Sequence, residues 1–140
     1  MIIEIPTLPI AQKRHRHTFR SSHGHTYDPS AKDKKIVKAF MLKGMKTKPL
    51  YTTELSLMIT FVFPWPKKWY RTGKYSHLLK DTAPGTHTNK PDIDNLLKLI
   101  MDSGNSVVWK DDCQIWEVQM RKIYGDPPKT IIQLEETNEQ

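Results

Sequence analysis

The sequence predicts a mixed α/β (α+β) domain, one small mixed β-sheet flanked by helices. Three observations carry that expectation. Residues 53–63 alternate apolar and polar, the period of a strand with one buried face. Two stretches, from residue 30 to about 43 and from Asp94 to about Ser103, place apolar residues at helical spacing and each end at a glycine. A second alternating stretch, 113–124, is followed by a proline pair and a short apolar run. The element order is therefore β, α, β, α, β, β, which builds one sheet with helices packed against it.

Taken in order, residues 1–5 form a short strand, ended by Pro6 and Pro9. Residues 10–29 are polar and histidine-rich, without period, and predict a loop or loose hairpin. Pro29 or Ser30 opens the first helix, with Ile36, Val37, Phe40 and Met41 on one face and Gly44 as its stop. In the central strand Leu55, Leu57, Ile59, Phe61 and Phe63 share one side. Residues 64–91 are a long irregular connection rich in Pro, Gly, Lys, Trp and Tyr, a length that is often functional and that a disordered insertion would equally explain. The second helix carries Leu96, Leu97, Leu99, Ile100 and Met101, and stops at Gly104. The strand at 113–124 puts Trp116, Val118 and Met120 on one face. Pro127-Pro128 breaks the chain, and Thr130 to Leu134 pairs back as the last strand, leaving a frayed tail at 136–140.

At 140 residues the chain is one domain, 1–140, with 37% hydrophobic and 26% charged residues. No apolar run approaches the ~20 residues of a membrane span. The N-terminus lacks a basic leader, so the expected place is the cytoplasm. The single cysteine, Cys113, excludes an internal disulfide and a cysteine-based zinc site.

The net charge of +7 is unevenly spread. Residues 13–48 carry +9 and residues 49–91 a further +4, while 92–140 carry −5. Lysines that merely solubilise a surface come mixed with acids. A basic half joined to an acidic segment points to a polyanion, most commonly nucleic acid, beside a place where acid is needed. Candidate phosphate contacts are Lys13, Arg14, Arg16 and Arg20, then Lys67, Lys68, Arg71 and Lys74 among Trp65, Trp69, Tyr70 and Tyr75, and Lys90. Aromatic rings interleaved with cations stack on unpaired bases; the plainer alternative packs those rings on the sheet.

The acidic segment is informative. In Lys90-Pro91-Asp92-Ile93-Asp94-Asn95-Leu96-Leu97-Lys98, the aspartates stand two apart at a helix start, and Lys98 lies one turn beyond Asp94 on the same face. Asp102 is one turn further. Taken singly, these are helix caps and surface pairs. A second pair, Asp111-Asp112, stands before the next strand, and both pairs fall at element ends. Crowded carboxylates raise one another's pKa unless a cation sits among them. Hard oxygen ligands suit Mg²⁺ or Mn²⁺. Beside a basic surface such a centre suits phosphodiester hydrolysis, in which carboxylate-held metal activates water and stabilises the leaving oxygen. Asp92, Asp94, Asp112 and Lys98 fit these roles, with the lysine offsetting developing charge.

This pattern, Asp-x-Asp-Asn-Leu-x-Lys, an aspartate four residues on, then Asp-Asp-x-Gln at 111–114, resembles the signature of RusA-type Holliday junction resolvases, common in phages and prophages. The match is close over 90–115 and looser for Pro6, Pro9, Lys13, Arg14 and the strand at 53–63. The resemblance implies a homodimeric, Mg²⁺-dependent endonuclease that nicks opposite strands of a four-way DNA junction. It maps the catalytic carboxylates to Asp92, Asp94 and Asp112 and the lysine to Lys98. Asp111 matches as a further metal-binding position. A C₂ dimer suits an approximately twofold junction.

Other readings are weighed beside it. His15, His17, His23 and His25 form two His-x-His pairs that could bind Zn²⁺, but nothing nearby completes a site. His87 is expected to be exposed, Trp109 and Trp116 to be core, and Cys113 to be a small buried residue. No nucleotide-binding loop or hydrolase triad spacing is present, and no organic cofactor is expected. A non-catalytic junction- or single-strand-binding protein, and a nuclease acting on flaps or forks, stay open as alternatives.

Overall fold

The structure is a computed structural model that describes residues 1–13, 16–20 and 23–137, with the backbone alone for 16–20 and 23–26. Its strands are β1 (Ile2–Ile5), β2 (Arg16–Arg20), β3 (His23–Tyr27), β4 (Leu55–Phe63), β5 (Ile115–Tyr124) and β6 (Lys129–Glu136). The helices are α1 (Ala31–Met45) and α2 (Ile93–Gly104). β2 and β3 pair with each other as a hairpin. The other four form a mixed sheet in the order β1-β6-β4-β5. Only β4 and β5 run parallel, joined by the long connection and α2.

The five apolar residues expected to share one side of β4 are all buried. With Ile3, Ile5, Ile132 and Leu134 they meet Val37, Met41 and Met45 of α1 and Leu96, Leu99 and Ile100 of α2. One face of the sheet thus carries both helices. β4 is buried on its other side too, at its C-terminal end. Arg121 Nε donates to Thr60 Oγ1 at 3.2 Å, and the backbone of Gly125 lies against Val62, where a Cβ would approach to 2.8 Å. A half-buried strand is thus only half the description.

Four expectations are corrected. Gly44 does not stop α1: it lies inside it, where a Cβ would press on Ile3 at 3.1 Å, and the helix ends when Lys46 takes a left-handed φ of 54°. Ile36 is exposed, so the packing stripe of α1 is Val37, Met41, Met45. The last strand does not pair with β5. Gly125 donates to the Phe63 carbonyl at 2.9 Å, carrying the chain over the end of β4 so that β6 pairs on β4's far side. Trp116 is 61% exposed: the register slips opposite Leu55 and Ser56, and its indole reaches instead to Thr137 Oγ1 at 2.6 Å. Trp109 is core, as expected, and fits only because residue 104 lacks a side chain; a Cβ there would stand 2.1 Å from its ring. The expected frayed tail at 136–140 is not seen at its start: Glu136 is still in β6 and Thr137 N donates to the Glu54 carbonyl, while residues 138–140 lie outside the described residues.

Candidate active site

Asp92 is the N-cap of α2, but its carboxylate takes no capping hydrogen bond; the backbone makes the first turn, Leu96 N to Asp92 O at 3.2 Å. Asp94 stands in that first turn, and both side chains are exposed. Among the described residues neither carboxylate accepts a hydrogen bond or forms an ion pair. Both carboxylates stand unengaged at the positive end of the helix dipole. Lys98 is exposed one turn along and does not pair with Asp94. Asp102 plays a structural part: with Asp28 it shares the ammonium of Lys34 of α1, at 3.5 and 2.7 Å.

The second acidic pair is built differently. Asp111 caps a single 3₁₀ turn, Asp112–Gln114, accepting from Cys113 N at 3.0 Å, while Gln114 Oε1 accepts from Asp111 N. The Cys113 hydrogen bonds hold the Asp111 carboxyl below its ordinary range, against the expectation that crowding would raise it. The Cys113 thiol is exposed, not buried, and the neighbouring carboxylate pushes its pKa up. Gln114 Nε2 also donates to the carbonyls of Tyr51 and Thr53, at 3.0 and 2.8 Å. Asp112 is half-buried, and its carboxylate is not the one that caps.

The two pairs lie at opposite ends of α2. The turn at 112–114 is tied through Tyr51 to Val108, whose N–H donates to the carbonyl of Gly104, the last residue of α2. Twelve helical residues rise about 18 Å. Among the described residues no three His, Cys, Asp or Glu side chains gather closely enough to hold a metal together. One chain holds the four aspartates as two separate pairs. The donor set is still right for Mg²⁺ or Mn²⁺: all oxygen, unused by the protein at Asp92 and Asp94, and few in number, as an ion that keeps its waters requires.

The residues before Asp92 form a corner that sequence reasoning missed. His87 is buried, not exposed, stacked on Phe63 with ring centres 4.1 Å apart and tilted against Tyr124. Burial, with Lys122 nearby, lowers its pKa below 6.5. Lys122 of β5 donates to the carbonyls of Asn89 and Pro91 at 2.7 and 2.8 Å. The sequence carries no local signal for this corner, which follows from the strand register that brings 122 and 124 level with the end of β4.

Of the candidate phosphate contacts, Lys13, Lys67, Lys68, Arg71, Lys74 and Lys90 are exposed. Lys68 lies over the Trp69 ring and Lys74 over Tyr75, at 5.4 and 5.2 Å, while Arg71 meets Asp81 at 3.2 Å. Trp65 takes the plainer alternative: it stacks on Tyr124 and donates to Pro84 O. Arg14 and His15 lie outside the described residues, as do the side chains of Arg16, Arg20, His17, His23 and His25.

A small α+β domain with free carboxylates at a helix start beside exposed cations has the layout of a DNA-cutting enzyme. The family model "Endodeoxyribonuclease RusA" matches residues 6–135, and the chain belongs to that family, the RusA-type Holliday junction endonucleases. It is also similar to "Uncharacterized protein YqaN" of Bacillus subtilis (strain 168), 28% identical over an alignment of 137 positions that covers 93% of this chain and 92% of the relative. No helix among the described residues is long and apolar enough to cross a membrane.

Proposed function

We propose that this protein resolves four-way DNA junctions by Mg²⁺-dependent phosphodiester hydrolysis, as a homodimer making paired symmetric nicks. The observation that carries the reading is the pair of unengaged carboxylates, Asp92 and Asp94, at the start of α2. They are the residues that would hold the ion. Bound there, Mg²⁺ (or Mn²⁺) would supply an activated water and a counter-charge for the departing oxygen. Lys98, one turn along and unpaired with Asp94, is free to approach the scissile phosphate and offset its developing charge. Lys13, Arg14, Arg16, Arg20, Lys67, Lys68, Arg71, Lys74 and Lys90 hold the DNA backbone.

The separation of the two acidic pairs favours a shared site. Asp112 stands about a helix length from Asp92 in its own chain, so a second copy is the natural source of the third carboxylate. A twofold pairing then makes two equivalent centres, each drawing on both chains.

The test is nicking of end-labelled four-way junction, duplex and flap DNA, with Mg²⁺ and with EDTA. Paired nicks on the junction, lost in EDTA, are expected. Binding without cutting under any divalent metal would turn the assignment to a junction-binding module, and cutting of flaps alone would turn it to a flap nuclease. Mixing Asp92→Asn with Asp112→Asn protein tests the shared site. Roughly a quarter of wild-type nicking should return, because half the dimers are mixed and each rebuilds one of two centres. No recovery on mixing would mean that each centre is built within one chain.

A further inference from the structure

We infer that Lys122 is a positioning residue for the Asp92–Asp94 centre: its ammonium pins the backbone from which Asp92 projects. The inference rests on the functional reading above.

β5 is an edge strand, and the segment before Asp92 is laid along it. Tyr124 N donates to Gly85 O at 2.8 Å, and His87 N donates to Lys122 O at 3.1 Å. Asn89 Nδ2 then donates to the Tyr124 hydroxyl at 3.1 Å. Finally Lys122 Nζ donates to Asn89 O and Pro91 O, at 2.7 and 2.8 Å. Every second residue from 85 to 91 is therefore fastened to two residues of one strand, and the next residue is Asp92. A lysine on an edge strand ordinarily extends into water. Here its charge is directed at two backbone carbonyls, and charged donors make the stronger hydrogen bonds.

The consequence concerns the carboxylate. The Asp92 side chain makes no capping bond, so no hydrogen bond to the α2 N-terminus fixes its direction. Its direction follows from the backbone at 91–92, which Lys122 holds. Metal-binding and catalytic groups need placement to about 0.5 Å, and loss of a supporting partner costs about 10–100-fold in metal affinity or activity.

The experiment compares wild type with Lys122→Met, Lys122→Gln and Lys122→Arg by four readouts. These are the nicking rate at saturating junction, junction Kd in EDTA, Mn²⁺ affinity of the free protein, and Tm. Lys122→Met should lower the saturated rate about 10–100-fold and weaken Mn²⁺ in parallel. Junction Kd should stay within about twofold, as befits a lysine that contacts backbone and not phosphate. Lys122→Arg, which keeps the donors, should recover part of both losses. If Lys122→Met does not fold, Lys122→Gln is read by the same criteria. Unchanged rate and Mn²⁺ affinity overturn the inference, as does a loss confined to junction Kd, which marks a DNA contact. If wild type cuts no branched DNA, the nuclease reading fails on its own, and Mn²⁺ affinity still decides the role of Lys122.

Discussion

The two acidic corners of this protein use the same residue type to opposite ends. At the start of α2, Asp92 occupies the N-cap and leaves its carboxylate unengaged, while backbone and Lys122 hold the turn. At 111–114, Asp111 closes its own turn and Gln114 ties that turn to Tyr51 and Thr53. One corner is held from outside so that its carboxylates stay available. The other is held by its own side chains, which leaves Asp112 as the group not engaged in capping. Availability, more than the presence of aspartate, separates a site from a cap.

The largest expected effect tests that distinction directly. Asp92→Asn or Asp94→Asn should lower junction cleavage at least about a hundredfold while junction binding and Tm hold. Asp111→Asn should cost only a few-fold, read in the same nicking assay. Equal losses at 92 and 111 would erase the contrast.

Next is the scaffold of the second corner. Gly104→Ala drives a methyl into the Trp109 ring and should destabilise by about 3 kcal/mol, measured by denaturant unfolding. Gln114→Ala is smaller. It removes three hydrogen bonds and should cost about 1–2 kcal/mol, with little effect on junction affinity.

The smallest effect belongs to the first corner and depends on pH. His87 is buried with its pKa lowered from 6.5, so the unfolded chain binds the proton more readily than the folded one. Its contribution is fully present above pH 6.5 and declines as pH falls through and below that value. Stability followed by Tm between pH 7.5 and 5 should therefore slope more steeply in wild type than in His87→Phe, which keeps the stack on Phe63. Parallel curves would remove His87 from the linkage.

Much of this was legible in the chain. Alternation located β4 because its inward face is apolar at every second residue. Helical spacing and terminal signals located α2 to within one residue. The Asp-x-Asp and Asp-Asp pairs, with Lys98, were readable because their spacing is local. What misled was also local: Gly44 looks like a stop, but it lies inside α1, packed closely on Ile3 of β1. Trp116 looks like core, but the register slip leaves it outside.

The sequence by itself determined the element types, the segregation of charge and the identity of the acidic residues, since each depends on neighbours within a turn or a strand repeat. Tertiary structure alone decided the rest. It passed β6 across to the far side of β4, placed the two acidic pairs at opposite ends of α2, and brought Lys122 to the carbonyls beside Asp92 from 31 residues away. Those outcomes depend on which distant backbone groups meet, and hydrogen-bond partners across a sheet leave no periodic mark in the chain.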